Sequence, residues 1–234
     1  MKPYSRIFLL TALLITGCER SMLTETEGPE VASSSSAAGT SQSTELFVFQ
    51  PAGDVGGGVL VPGTEFPPVN GSESVLKRKA DKIQYSIKTT GLPEGAYTNW
   101  IVTINEPENC ASSPCSDVDI FGNPEGIDAT IFWVAGNTVG SNGKGNFRAT
   151  IRVGELPDGD DQIALPGSGL LNPMGGEFHL IVKYHGPTSP DPVVRKKQLT
   201  TLTGSCDEGA NAYDLGEPFG IQCFDPQAAI HQPL

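Results

Sequence analysis

Short segments in which apolar and polar residues alternate, separated by turn-forming residues, restrict this chain more than any other feature of its sequence. An alternation of period two is typical of a strand with one buried face and one wet face. We predict such strands at Lys82–Thr89, Asn146–Val153, Tyr97–Ile104 and Glu177–Tyr184. Thr130–Ala135 is apolar on both sides, which predicts a central strand.

Weaker strand signals and abundant turn residues complete the prediction of the fold. Further strands are predicted at Leu46–Gln50, Val75–Lys79, Val194–Leu202 and Ala228–His231. Asn142-Gly143 between two apolar segments is typical of a hairpin turn. The chain contains 28 Gly and 19 Pro and shows no clear amphipathic helix, so long helices are not expected. We therefore predict an all-β fold, an antiparallel β-sandwich or jelly-roll in one domain, with a closed barrel as the alternative.

The N-terminal segment has the pattern of an export signal. Lys2 and Arg6 precede an apolar run, Ile7–Ile15, which is too short to span a membrane. The residues Ile15-Thr16-Gly17-Cys18 resemble the lipobox of bacterial lipoproteins. This resemblance implies cleavage before Cys18 and a multiply acylated cysteine, which would anchor the protein stably in a membrane.

A serine-rich segment of low hydrophobicity follows the cysteine. It has almost no large apolar residue after Leu23, so it cannot bury enough surface to fold and is predicted to be a disordered tether. The predicted organisation is a signal peptide at 1–17, the lipidated Cys18 and linker at 18–43, and the β-domain at 44–234. The expected location is the bacterial cell envelope, with the outer membrane or the cell surface favoured over the inner membrane.

The charge balance restricts the partners. Removing the signal takes away Lys2 and Arg6 and no acid, so 15 − 2 = 13 basic and 27 acidic residues leave a formal charge of −14. Such a balance favours solubility and weighs against nucleic acid or an anionic membrane as a partner. The expected partners are the membrane, through the lipid anchor, and an unidentified protein or polysaccharide.

Four cysteines remain when Cys18 is assigned to the lipid. An even number outside the cytosol predicts two disulfides. The local pairings Cys110–Cys115 and Cys206–Cys223 are favoured over the other pairings. A zinc site is the rival interpretation, but the chain contains no CxxC pair.

The acidic segment between residues 117 and 128 has part of the spacing of a calcium loop. Oxygen-bearing side chains fall on ligand positions at Asp117, Asp119, Asn123, Glu125 and Asp128. Gly122 occupies the glycine position, but Phe121 takes a ligand position and Pro124 interrupts the loop. A solvent-exposed acidic loop is the favoured interpretation, and calcium-dependent glycan binding is an alternative.

The three histidines are candidate metal ligands. His179 and His185 would lie about 20 Å apart along a regular strand, so one ion cannot bind both. His185 and His231 each follow or end a predicted strand, and they could meet at one rim as a zinc or copper site. The favoured interpretation is that each is a surface or hydrogen-bonded histidine.

Several stretches resemble a group of functionally unassigned exported bacterial proteins. The matching stretches are Gly91–Trp100, Asn105–Cys110, Glu177–Leu180 with His185–Pro187, and Gln227–Pro233. A fainter similarity links the alternating strands to the CHRD β-domain. Neither resemblance implies a catalytic residue, and no serine lies in a GxSxG motif.

The predicted function is a lipid-anchored, non-catalytic module with a binding or structural role, for which no cofactor is expected. The alternative is a zinc- or copper-dependent enzyme or metal-handling protein using His185 and His231.

Overall fold

A computed structural model describes residues 39–49, 65–204 and 223–234. Within those ranges the strands are Thr40–Thr44 (β1), Phe47–Val48 (β2), Glu73–Lys79 (β3), Lys82–Thr89 (β4), Gly95–Ile104 (β5), Ala129–Val139 (β6), Gly145–Arg152 (β7), Ile163–Leu165 (β8), Glu177–Tyr184 (β9) and Phe224–His231 (β10). The helices are Asp117–Gly122 (α1) and Pro192–Thr200 (α2), with a 3-10 turn at Pro107–Asn109. All strand pairings are antiparallel.

The strands form two sheets that pack face to face. One has the order β1-β3-β4-β7, and the other has the order β2-β10-β9-β5-β6-β8. Apolar side chains from both sheets, including Ile83, Phe147, Ile101 and Leu180, form the core between them. The predicted all-β sandwich is therefore confirmed.

The four-stranded sheet has one buried and one exposed face, as the alternation predicts. β4 has the predicted bounds, with Ile83, Tyr85 and Ile87 buried. It pairs with β7 so that Ile83 lies opposite Ile151. β7 runs one residue earlier than predicted, and Val153 lies outside it and is exposed.

The six-stranded sheet is covered on both faces. All ten residues of β5 are buried. A second apolar cluster lies on the outer face of this sheet and includes Trp100, Val102, Ile120 and Ile127. The chain between β5 and β6 covers this cluster, which explains why β6 is apolar on both sides.

Two predictions about local structure are wrong. Val194–Leu202 was expected to be a strand, but α2 occupies most of this region. Pro192 starts the helix. The Asp191 side chain caps it by accepting hydrogen bonds from the backbone N–H groups of Val193 and Val194. Thr40–Ser43, expected to belong to the tether, form most of β1 because their backbone pairs with β3.

Several predicted features lie outside the described residues. These are the signal segment, Cys18, most of the tether and Cys206. Of the helices that the structure describes, none has the length and hydrophobicity needed to cross a membrane.

Candidate functional site

The long connection between β5 and β6 folds back over the outer face of the six-stranded sheet. It contains the Cys110–Cys115 disulfide, which confirms that predicted pairing, and helix α1. The carboxylate of Asp119 holds this segment together. It accepts hydrogen bonds from Ala111 N (2.7 Å), Ser112 Oγ (3.1 Å), Ser116 N (2.8 Å) and Ser116 Oγ (2.7 Å).

These hydrogen bonds bear on the alternative that the segment is a calcium loop, because they occupy the oxygens of one proposed ligand. Burial raises the pKa of Asp119, but the hydrogen bonds from the Ser116 and Ala111 backbone and from the Ser116 and Ser112 hydroxyls outweigh it and lower the pKa to about 2. The oxygens of Asp119 therefore serve the protein's own backbone and hydroxyl groups.

The other proposed calcium ligands do not converge with Asp119. Asp117 starts a helix, Glu125 is exposed, and Asp128 accepts a hydrogen bond from Asn105 Nδ2 at 3.0 Å. No group of three or more His, Cys, Asp or Glu side chains within the described ranges is arranged to hold a metal ion. The calcium-loop alternative is not supported, because the first half of the segment is a helix rather than a ligand loop.

The alternative in which His185 and His231 bind one metal ion is also wrong. His231 lies opposite Phe178 at the start of β9, whereas His185 follows Tyr184 at the end of β9. Seven residues of extended strand separate these positions, about 23 Å at the usual rise. The two imidazoles are therefore not ligands of one ion.

Each of the two histidines has its own buried setting. The Nε2 atom of His185 lies 2.6 Å from Thr98 Oγ1, and its Nδ1 atom lies 3.4 Å from Cys223 Sγ. The Nε2 atom of His231 lies 2.8 Å from Ser74 Oγ. Both side chains are fully buried, and their contacts agree with hydrogen-bonded histidines, part of the interpretation that the sequence favoured.

Three of the four remaining cysteines are oxidised, which argues against the rival zinc site. Cys110 and Cys115 are bonded to each other, and Cys223 is also disulfide-bonded. The predicted partner of Cys223, Cys206, lies outside the described residues, so that pairing stays a prediction.

A cleft of about 500 Å³, including its open mouth, lies between α1 and the β9–β10 pair. Its walls are mostly apolar: Phe49, Val102, Ile120, Phe121, Ile131, Ile181, Ala228 and Ile230. Asp117, His179 and Asp225 are its polar members, and Asp225 pairs with Lys183 at 3.3 Å. The cleft thus has the lining typical of a small-molecule site, a mostly apolar concavity with a few polar groups.

The imidazole of a buried carboxylate–imidazole pair lines this cleft. Glu177 Oε1 lies 2.6 Å from His179 Nε2, and both side chains are 2% exposed. The same oxygen accepts a hydrogen bond from Cys115 N at 2.8 Å, so the disulfide-closed loop fixes the carboxylate. Among the described residues, no hydrogen-bond partner is found for His179 Nδ1.

The geometry of this pair sets what it can do chemically. A carboxylate that accepts a hydrogen bond from Nε2–H leaves Nδ1 of the neutral imidazole as an acceptor. His179 can therefore accept a hydrogen bond from a molecule in the cleft.

The sequence prediction missed this pair, although one signal was present. The alternation in this strand places Phe178 and Leu180 on the inward face, so Glu177 and His179, two residues apart, share the opposite face of β9. The cover over that face comes from the chain between β5 and β6, far away in sequence, and the alternation in β9 does not reveal it.

Comparison of the chain with protein families, with curated proteins and with solved structures found no match. The function must therefore be inferred from the sequence signals and from the geometry of the cleft.

Proposed function

We propose that this chain is a lipid-anchored envelope module that binds a small, mostly apolar ligand in the cleft between α1 and the β9–β10 pair. The observation that carries the proposal is His179, a buried imidazole in the wall of a mostly apolar concavity, with its Nε2 atom held by Glu177. Burial of a polar imidazole has a cost in desolvation, and at a cleft wall a hydrogen bond from a ligand would offset that cost.

The lining also defines the chemistry of the ligand. Isoleucine and phenylalanine side chains on the walls favour an apolar body, as Ile181, Ile230 and Phe121 illustrate. The Nδ1 acceptor of His179 favours a hydroxyl or N–H donor on that body. An apolar molecule with one hydrogen-bond donor satisfies both requirements.

The location outside the cytosol is supported by two independent features. The lipobox-like sequence at Cys18 implies export and acylation. The oxidised state of Cys110, Cys115 and Cys223 agrees with an oxidising compartment. Intact-mass measurement on protein from its native membrane should find an acylated N-terminal Cys18, and an unmodified chain starting at Met1 would contradict the anchor.

Two fluorescent probes test the cleft. 2-Naphthol has an apolar body and one O–H donor, and 2-methylnaphthalene has the same body without the donor. We expect the naphthol to bind about 2- to 10-fold more tightly, the contribution of one net hydrogen bond, and we expect His179→Phe to abolish this preference.

A pair of tryptophan variants separates the cleft from the rest of the surface. Ile230 is half-buried in the cleft wall, so Ile230→Trp should fill the space and prevent binding of both probes. Ile163 is exposed on β8, so Ile163→Trp is the matched control and should leave binding unchanged. Equal probe binding by the two variants would overturn the proposed site.

A further inference from the structure

The outer face of the four-stranded sheet is strongly basic, although the chain as a whole is acidic. Outward-facing positions on β3, β4 and β7 carry six cations: Lys77, Lys79, Lys82, Lys88, Arg148 and Arg152. The register brings Lys79, Lys82 and Arg152 side by side across the three strands. Neighbouring strands lie about 4.8 Å apart, so these charges form a dense row.

Few acids neutralise this face. Among its described strand positions Glu73 is the one acid, which gives 6 − 1 = +5. Asp81, in the β3–β4 turn, lies 3.7 Å from Lys82 Nζ and 3.9 Å from Arg152 Nη1, and Glu155 Oε1 lies 3.8 Å from Arg152 Nε. Counting these two flanking acids leaves 5 − 2 = +3. Within the described ranges the other four cations form no ion pair: Lys77, Lys79, Lys88 and Arg148.

The charges are therefore segregated. The whole chain has 15 basic and 27 acidic residues, yet this one face has six of the former and one of the latter at its strand positions. The remaining outward positions are mostly small and polar, such as Ser86, Gln84 and Thr150. The result is a solvent-exposed, positively charged surface, and the net charge of the chain does not reveal it.

We propose that this face docks on an anionic lipid surface, an inference that depends on the lipid anchor in the proposed function. Two observations identify the occupant. The first is charge complementarity, since clusters of Lys and Arg near a membrane are attracted to anionic headgroups. The second is the point where the chain outside the described residues joins the domain.

That junction lies at this sheet. β1, which begins at Thr40, is its edge strand, and Cys18 lies 22 residues earlier. The tether predicted from the composition would have an average reach of about 25 Å over that length. An acylated Cys18 would therefore keep the basic face close to the headgroups, where attraction acts over a Debye length of about 8 Å at physiological salt.

The test uses the native acylated protein in vesicles of phosphatidylcholine alone or of phosphatidylcholine with phosphatidylglycerol at roughly 3:1. A water-soluble amine-acylating reagent is added, and labelling rates at individual lysines are measured by mass spectrometry. We expect labelling of Lys77, Lys79 and Lys88 to be about fivefold slower on anionic vesicles and to recover at about 0.5 M salt. Lys196 and Lys197, exposed on α2, should label equally on both.

Two double variants with the same change of charge provide the control. Lys77→Glu with Lys79→Glu should remove the protection of Lys88. Lys196→Glu with Lys197→Glu should leave it intact. Equal loss of protection in both would show that only the net charge of the protein matters, and the docking face would be wrong.

Flotation with the vesicles separates this inference from the anchor. Protein that floats with both kinds of vesicle but shows no protected lysine keeps its anchor and overturns the docking. Protein that floats with anionic vesicles alone, in a salt-sensitive way, overturns the anchor and supports the docking. Protection by soluble alginate without vesicles, and not by anionic vesicles, would reassign the face to an acidic polysaccharide.

Discussion

His185 and His231 are buried in their neutral forms, which makes the fold sensitive to acid in a defined range of pH. Burial lowers the pKa of His185 to about 3, and the charge of Lys183 acts in the same direction. Burial lowers the pKa of His231 to about 4, together with the charge of Arg78. In the unfolded chain both pKa values return to about 6.5.

The sign follows from proton linkage. Between the folded and unfolded pKa values the unfolded chain binds more protons than the folded protein, so the free energy of unfolding decreases as the pH decreases. At pH 5 each imidazole would be protonated in the unfolded chain and neutral in the folded protein. Each histidine then lowers the free energy of unfolding by about 2 kcal/mol relative to neutral pH, and the two together lower it by about 4 kcal/mol. The loss begins near pH 6.5 and continues to the folded pKa values.

Urea unfolding between about pH 7.5 and 5 measures this loss. We expect the wild type to lose about 2.5 kcal/mol per pH unit near pH 5.5, close to two protons. His231→Gln keeps a polar group beside Ser74 but cannot be protonated, so its slope should be about half as steep. The same holds for His185→Gln, and the double variant should be nearly flat. A wild type whose stability is constant over this range, or single variants with the wild-type slope, would refute the reasoning.

Three further predictions test the packing around the site and the core. Gly136→Ala should loosen α2, because the added Cβ would overlap the Leu199 carbonyl oxygen, and faster amide exchange in α2 is the measurement. Arg78→Lys should lower the free energy of unfolding, measured in urea, by about 2 kcal/mol. The planar guanidinium of Arg78 donates to five backbone carbonyls, and an ammonium group cannot reproduce that arrangement. Asp119→Asn should cost about 1–3 kcal/mol and speed proteolysis of the disulfide loop, because a neutral amide cannot accept all the hydrogen bonds that Asp119 now receives, including two from Ser116.

The alternation of apolar and polar residues predicted the central strands well, for a physical reason. In β4 and β9 every second residue faces the core between the sheets, so the pattern and the bounds follow directly from burial. The pattern fails where burial does not decide the structure. Thr40–Ser43 are polar, and they form a strand because their backbone pairs with β3.

The histidine prediction failed because it did not include strand direction. His185 follows the C-terminal end of β9, and His231 is at the C-terminal end of β10. Neighbouring antiparallel strands have their C-terminal ends at opposite edges of the sheet, so two histidines placed in this way are far apart. The same hydrophobic pattern in a parallel pair would have brought them together.

Arg78 shows a second limit of pattern-based prediction. It occupies an inward position on β3, where the alternation would place an apolar residue. Its guanidinium lies 4.8 Å from the centre of the Phe178 ring and donates to the carbonyls of Gly176 and Gln232, each at 2.8 Å. These partners are distant in sequence, so only the folded chain shows why a cation is tolerated there.

The lengths of two connections explain why the sandwich has two such different outer faces. β3 and β4 are joined by the two residues Ala80 and Asp81, which leave the outer face of their sheet uncovered. β5 and β6 are joined by residues 105–128, which cover the other sheet and form one wall of the cleft. The basic face and the cleft consequently lie on opposite sides of the molecule. If the basic face rests on headgroups, the cleft opens away from the membrane and stays accessible to a ligand, so the two proposed surfaces can be occupied at the same time.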